Sequence, residues 1–343
     1  MEARTEAELP SGPGWQYEPK WDGFRCLAIR DGDKVELLSR SGRTLARYFP
    51  DMVGALKMLK PKRFILDGEL AIPVGKILSF DALQLRLHPA ASRVQKLAAQ
   101  TPSILIIFDL LQNTRGVDLR DRPLSERRKQ LEAFFDALGE VPALRLSPAS
   151  TSRTEAERWL KRAGDGALDG VVAKRLDETY KSGERAMVKV KCLRTADCVV
   201  GGFRYATDSR LVGSLLLGLF NGEGRLDHVG FTSGIADDKR EALTRKVEAL
   251  KGGIGFTGAA PGGPSRWSTE RSAQWEPLKL KLVAEVQYDH VSGDRFRHGT
   301  RFLRWRPDKR PQDCTFEQLR QEIRPSRLFV TKKVRTRTRR PAL

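Results

Sequence analysis

Lys20 stands in the run Lys20-Trp21-Asp22-Gly23-Phe24-Arg25, which gathers an amine, a carboxylate and a guanidinium within six residues. A lysine attacks only as the free amine, and a polyphosphate substrate needs cations around the attacked phosphorus. The cluster therefore suits nucleotidyl transfer to an amine. It also suits a surface turn, with Lys20 solvated and Asp22-Gly23 making the bend. One short motif does not separate the two.

Four further segments bear on the choice. Leu66-Asp67-Gly68-Glu69-Leu70 places a carboxylate at the end of an apolar strand, or else makes a second Asp-Gly turn. Ile106-Ile107-Phe108-Asp109-Leu110 sets an aromatic inside a β run, which fits a core position or a platform for a purine. Leu168-Asp169-Gly170-Val171-Val172-Ala173-Lys174 repeats the order carboxylate, glycine, strand, lysine; Asp169 and Lys174 should face one rim. Met187-Val188-Lys189-Val190-Lys191 alternates strictly, so the two lysines share one strand face and the valines the other. Two cations about 7 Å apart on a strand repel unless an anion lies between them. They would also lower the pKa of a neighbouring Lys20. A solvated sheet face explains one such pair, but not three carboxylate–glycine elements beside it.

The elements that must position these residues can be read from periodicity and punctuation. Residues 1–14 are polar and Gly/Pro-containing, a loose lead-in. Strand-like runs follow from Trp15 to Leu38, with Asp31-Gly32 as a hairpin signal. Ala46 to Leu59, Ser125–Leu138 and Glu155–Lys161 have helical patterns, whereas Arg63–Leu70, Ile104–Leu111, Gly170–Lys174 and Ala186–Lys191 look like strands. The texture changes near Leu193–Asp197. Beyond it come short β runs (Cys198–Tyr205, Leu215–Phe220, Leu226–Phe231, Val283–Tyr288, Arg301–Arg306). One helix-like segment, Asp237 to Leu250, precedes a Gly/Pro-rich loop from Gly252 to Ser265. Five short strands and one helix suggest a small barrel of the oligonucleotide-binding kind, though other small β domains share that pattern.

Composition sets the outer bounds. A chain of 343 residues with 40% apolar content can bury a core in each of two domains. No apolar stretch is long enough to cross a bilayer as a helix, and no leader is evident at the N-terminus. Cys26, Cys192, Cys198 and Cys314 are scattered, without a zinc or disulfide pattern, which favours packed free thiols in a reducing cytoplasm. The net charge is +19; six of the surplus cations lie in Thr331–Leu343 and thirteen elsewhere. Basicity spread over the folded part favours a polyanionic partner.

In this order, KWDGFR, DGE, FD, DGVVAK and KVK resemble the motifs of covalent nucleotidyltransferases. That superfamily comprises ATP- and NAD-dependent DNA ligases, RNA ligases and mRNA capping enzymes. YEPKWDGFR, SRSGR, RYFP, HPAxSR, RTADCVV, GSLLLGLF and FRHGTRFLRWRPDK extend the likeness to the short bacterial ATP-dependent ligases of the ligase C type. The ligase domain of ligase D is similar too, and the likeness runs roughly from Tyr17 to Thr315. It implies an α+β fold: an ATP-grasp-like nucleotidyltransferase domain with antiparallel sheets and flanking helices (1–195), a small β-barrel OB-fold domain (196–325), and a basic disordered tail (326–343).

The resemblance also implies roles. Lys20 would form a phosphoramidate with AMP. Glu18 matches the position that contacts the adenine amino edge, Phe108 the adenine-stacking aromatic, and Arg25 and Glu69 positions on the ribose. Arg40 matches a position near the ribose and the 5′-phosphate of the nick. Lys174 closes the fourth motif and joins the nucleotide-binding set, while Lys189 and Lys191 match lysines on the α-phosphate. Glu69 and Asp169 would hold Mg²⁺ or Mn²⁺; Asp169 stands where many relatives carry Glu, so its metal contact could run through water. Arg306, Asp308 and Lys309 resemble the element that orients pyrophosphate. The implied reaction uses ATP to seal nicked duplex DNA, in repair, by a monomer associated with the nucleoid and with Ku or repair polymerases as partners. A hinge near Leu193–Asp197 would let the barrel serve pyrophosphate first and DNA afterwards. The rival within the superfamily is an RNA ligase or a GTP-using capping enzyme; the non-catalytic rival is a basic DNA-binding module with a degenerate pocket.

Overall fold

A computed structural model of the chain describes residues 1–75, 77–163, 168–262 and 274–319. The basic tail, and the end of the loop expected to reach Ser265, lie outside the described residues.

The first half is built on two sheets. One has four strands in the order Ala3–Thr5, Met187–Lys191, Leu168–Arg175, Trp15–Trp21. The other has five, in the order Lys34–Ser39, Phe24–Asp31, Arg63–Ala71, Ile104–Gln112, Leu144–Leu146. Both are largely antiparallel, and apolar residues fill the layers behind them: Leu66, Leu70, Leu105 and Ile107 in one cluster, Tyr17, Val171, Val188 and Val190 in the other. The strict alternation of Met187–Lys191 works as anticipated, with Val188 and Val190 buried and the lysines on the opposite face.

Several expectations are corrected. The lead-in is not loose: Ala3–Thr5 runs parallel to Met187–Lys191, with Ala3 opposite Met187 and Thr5 opposite Lys189. The helix foreseen from Ala46 breaks into a 3₁₀ turn, Ala46–Tyr48, and an α-helix, Pro50–Lys57. Pro50 cannot donate into a preceding turn, so it starts a helix rather than continuing one. Two helices, Phe80–Arg86 and Ala91–Gln100, stand outside the helical patterns read from the sequence.

Three arginines too long for a core are nonetheless sealed in it. Arg30 donates to the carbonyls of Leu56, Lys57 and Leu59 and so caps the end of the Pro50–Lys57 helix. Arg86 pairs with Asp51, and Arg127 with Asp109. Each guanidinium meets fixed acceptors, the condition for burying it, although Arg86 Nε has no hydrogen-bond partner among the described residues.

The second half is one curled sheet. Its order is Leu226–Thr232, Val212–Phe220, Arg194–Tyr205, Val283–Tyr288, Arg301–Trp305, with Glu276–Pro277 also on Arg194–Tyr205. The two ends of this order meet in a single parallel bridge, Thr232 to Thr300, so the ladder approaches a barrel without closing as one. Phe203, Leu215, Leu217, Val229 and Val286 fill its interior, and the helix Asp237–Glu248 adds Val247. The anticipated hinge segment is mostly strand, because Arg194–Asp197 already pairs with Glu285–Tyr288. Only Cys192 and Leu193 separate the two sheets' strands. All four cysteines are free, three of them buried.

Candidate active site

The four-stranded sheet lays out its polar residues in cross-strand rows. Lys20, Gly170 and Lys191 stand opposite one another, as do Glu18, Val172, Lys189 and Thr5. Positions two apart on a strand share a face, so Glu18 and Lys20 point the same way. Asp169 and Lys174 are five apart and in a regular strand would point oppositely. The register slips between Leu168 and Gly170, and this bulge re-aims Asp169 onto the Lys20 face. Gly170 has φ +148°, and a Cβ there would lie 2.1 Å from the Val190 carbonyl oxygen. Only glycine fits. Gly23 is under the same constraint, since a Cβ would meet the Leu70 carbonyl oxygen at 2.2 Å. The glycines of the Asp-Gly pairs thus serve close packing of strands, which a plain turn does not require.

Phe108 is positioned by a second bulge. Asp67 pairs with Asp109 but Gly68 with Ile107, leaving Phe108 as the extra residue. Its neighbours Ile106 and Ile107 are fully buried, while Phe108 faces a cavity of about 690 Å³. The buried pair Asp109–Arg127, joined at 2.9 and 3.0 Å, fixes the residue beside it.

That cavity lies between the two sheets and brings together Glu18, Lys20, Arg25, Arg40, Glu69, Phe108, Lys174 and Lys189. Glu18 accepts hydrogen bonds from Gln16 and Lys174, both at 2.8 Å, and the Lys174 ammonium lies 4.6 Å from the Phe108 ring centre. Arg25 is clamped by Asp67 at 2.6 and 3.1 Å, and Tyr180 donates to the same carboxylate. Exclusion from water pushes the Glu69 carboxyl up to about 8, against the pull of Lys20 and Arg25. Lys189 has a lowered pKa, from burial first and then from Lys20 and Lys191.

Lys20 and Lys191 converge on one anion. Lys20 Nζ is 2.5 Å and Lys191 Nζ 3.4 Å from Asp169 Oδ2. The anion demanded between the two strand lysines is met for Lys191 by Asp169 and by Asp289, 2.8 Å away. Among the described residues, buried Asp169 Oδ1 has no hydrogen-bond partner.

Other predicted residues stand apart. Arg306 and Lys309 do not line the cavity; both are tied to Asp197, at 2.9 and 3.0 Å, and Arg306 also pairs with Asp308. Sequence reasoning missed Arg4, Arg185 and Met187 at the cavity, and the strand Ala3–Thr5 that carries the first. Among the described residues no group of three or more His, Cys, Asp or Glu could hold a metal by itself, and no helix is long and apolar enough to cross a membrane.

The profile of the ATP dependent DNA ligase domain matches residues 5–191, and that of the ATP dependent DNA ligase C terminal region matches 208–309. The chain is 45% identical to DNA ligase C2 of Mycolicibacterium smegmatis over 334 residues, covering 93% of each. It is 40% identical to DNA ligase C of Mycobacterium tuberculosis, covering 94% of each. In structure it resembles a Lig E DNA ligase, with a TM-score of 0.54 at 17% identity, covering 89% of this chain and all of that one; this likeness concerns the fold.

Proposed function

The chain belongs to the ATP-dependent DNA ligase family, and on that premise we propose that Lys20 is its nucleophile and the cavity around it the ATP site. Lys20 attacks the α-phosphate of ATP: an N–P bond forms, the bond to the β-phosphate oxygen breaks, and pyrophosphate leaves. AMP then passes to the 5′-phosphate of a nick, and the 3′-hydroxyl displaces it. Each step is a phosphoryl transfer, so the protein's task is in-line positioning and charge neutralisation.

The observation that carries this reading is the convergence of Lys20 with Glu18, Arg25, Glu69, Phe108, Lys174 and Lys189 on one cavity. Phe108 offers a ring to a purine and Glu18 an acceptor to its amino edge. Arg25 and Glu69 face the ribose, Lys189 and Lys191 the α-phosphate, and Arg40 at the mouth the nick phosphate. Freeing the Lys20 amine requires its contact with Asp169 to open.

The residues fit a divalent ion. Asp169 keeps one buried oxygen without a hydrogen-bond partner among the described residues, Glu69 lines the cavity beside Lys20, and the remaining ligands would be phosphate oxygens and water, as Mg²⁺ and Mn²⁺ prefer. When bound, such an ion neutralises charge developing on the phosphates. Arg306, Asp308 and Lys309 supply the pyrophosphate contacts once the second domain swings about Cys192–Leu193. The folding units divide at that connection. Contacts to DNA run mainly to its backbone and weaken with salt. We assign the enzyme to repair in the cytoplasm. The relative named multifunctional non-homologous end joining protein LigD in Pseudomonas aeruginosa, 30% identical over 92% of this chain and 36% of that protein, supports end-joining partners such as Ku.

The deciding experiment is transfer of labelled AMP from ATP to the protein, followed by sealing of a nicked duplex. Wild type should become labelled and seal; Lys20→Ala should do neither. A labelled Lys20→Ala protein would sink the assignment.

A further inference from the structure

Gln16, Tyr17 and Glu18 alternate on the strand Trp15–Trp21. Tyr17 packs into the core and its hydroxyl donates to the Pro10 carbonyl at 2.7 Å, so Gln16 and Glu18 share the opposite face. The neighbouring strand sets Lys174 opposite Gln16 and Val172 opposite Glu18. All three polar side chains are buried, Gln16 and Lys174 at 4% exposure and Glu18 at 2%. Glu18 and Lys174 line the cavity, whereas Gln16 is not among the described residues that do. An amide at this depth is costly unless it is hydrogen-bonded, and its partner is Glu18.

A carboxylate only accepts, and its two oxygens offer about four lone-pair sites. Gln16 Nε2 fills a site on Oε1 and Lys174 Nζ one on Oε2, both at 2.8 Å. The sites left over suit an exocyclic amino group and repel a carbonyl oxygen in its place. Lys174 has the reverse preference, since an ammonium only donates. An oxo purine would therefore fit if the carboxylate turned aside and the ammonium met the base instead. The terminal torsion of a glutamate is soft, so Glu18 held by Lys174 alone could turn in this way. Gln16, on the second oxygen, fixes the plane of the carboxylate.

We propose that Gln16 is a positioning residue that holds Glu18 as an acceptor and so makes the cavity select an amino purine over an oxo purine. The proposal rests on the ligase reading above, in which the purine stacks on Phe108 and turns its amino edge to Glu18. The Lys174 ammonium lies 4.6 Å from the Phe108 ring centre, so a base on that ring meets both members of the ion pair. Which member faces the exocyclic group decides the base, and Gln16 decides which member that is.

The test measures kcat/KM for lysyl-nucleotide formation by the full chain, with α-labelled ATP and with α-labelled inosine triphosphate. Inosine triphosphate has a carbonyl oxygen where ATP has its amino group, and it lacks the additional amino group of guanine. Wild type should favour ATP. Gln16→Met keeps the length of the side chain and removes the donor. It should lower the ATP preference about tenfold or more, as expected for a hydrogen bond to a charged group. Gln16→Asn, a milder change that draws the amide back by one methylene, should lower it in the same direction. Gln16→His, which restores a ring N–H in the space of the amide, should recover part of it. An unchanged preference in Gln16→Met and Gln16→Asn, including equal losses with both nucleotides, would mean a merely structural amide and overturn the proposal. So would a wild type indifferent between the two nucleotides. In either case labelling of wild type by ATP leaves the ligase reading standing; a wild type labelled by neither nucleotide would overturn both.

Discussion

Glu18 and Lys174 form an ion pair 2.8 Å long with almost no access to water. Gln16 occupies the other Glu18 oxygen, and the Lys174 ammonium lies 4.6 Å from the Phe108 ring centre. Burying two charges is costly, and the cost is offset only while both partners are present. Glu18→Ala would strand Lys174 and should destabilise the protein by about 3–5 kcal/mol, measured by denaturant unfolding. Glu18→Gln, which still offers Lys174 an acceptor oxygen, should lose less. Equal stability of wild type and Glu18→Ala would mean that the pair is not held as described.

Phe108 owes its exposure to a bulge, and its predicted use is stacking on the purine. Stacking on an aromatic contributes about 1–3 kcal/mol per base. Phe108→Ala should therefore raise the KM for ATP in lysyl-AMP formation about tenfold, while Phe108→Tyr keeps a value near wild type. An alanine variant with unchanged KM would show that the base binds elsewhere.

Glu69 provides a prediction in pH. Its carboxyl holds its proton up to about 8 in the folded chain, against an ordinary value of about 4.3. Between those values the folded state binds more protons than the unfolded one, so stability falls as pH rises through the window. Glu69→Gln removes the titrating group. Its melting temperature should gain on wild type from pH 5 to pH 8 and level off above that. A constant difference across the range would contradict the raised pKa.

Much of this site could be read before any coordinates, and the reasons are local. Glu18 with Lys20, and Lys189 with Lys191, follow from strand alternation, which survives wherever the ladder is regular. Asp169 and Phe108 break that rule, because each occupies a bulge whose place depends on the partner strand. The aspartate of Asp67-Gly68-Glu69 gave no sign that it would clamp Arg25, a contact between neighbouring strands. Arg306 and Lys309 were placed by resemblance at the nucleotide. Their tie to Asp197 depends on how the second sheet curls. The hairpin of Val291–Ser292 with Arg295–Phe296 does carry a signal in Gly293-Asp294, two adjacent residues suited to positive φ. The strand Ala3–Thr5 carried none, being three polar or small residues recruited by an open sheet edge.

The connection between the halves has a quantitative consequence. Two residues, Cys192 and Leu193, span about 7 Å when extended. Arg297 therefore never diffuses away from Asp22, and its effective concentration there is on the order of millimolar. Contacts as few as those of Asp22 with Arg297 would be far too weak to join separate molecules. On so short a tether they form without the entropic cost of bringing two molecules together.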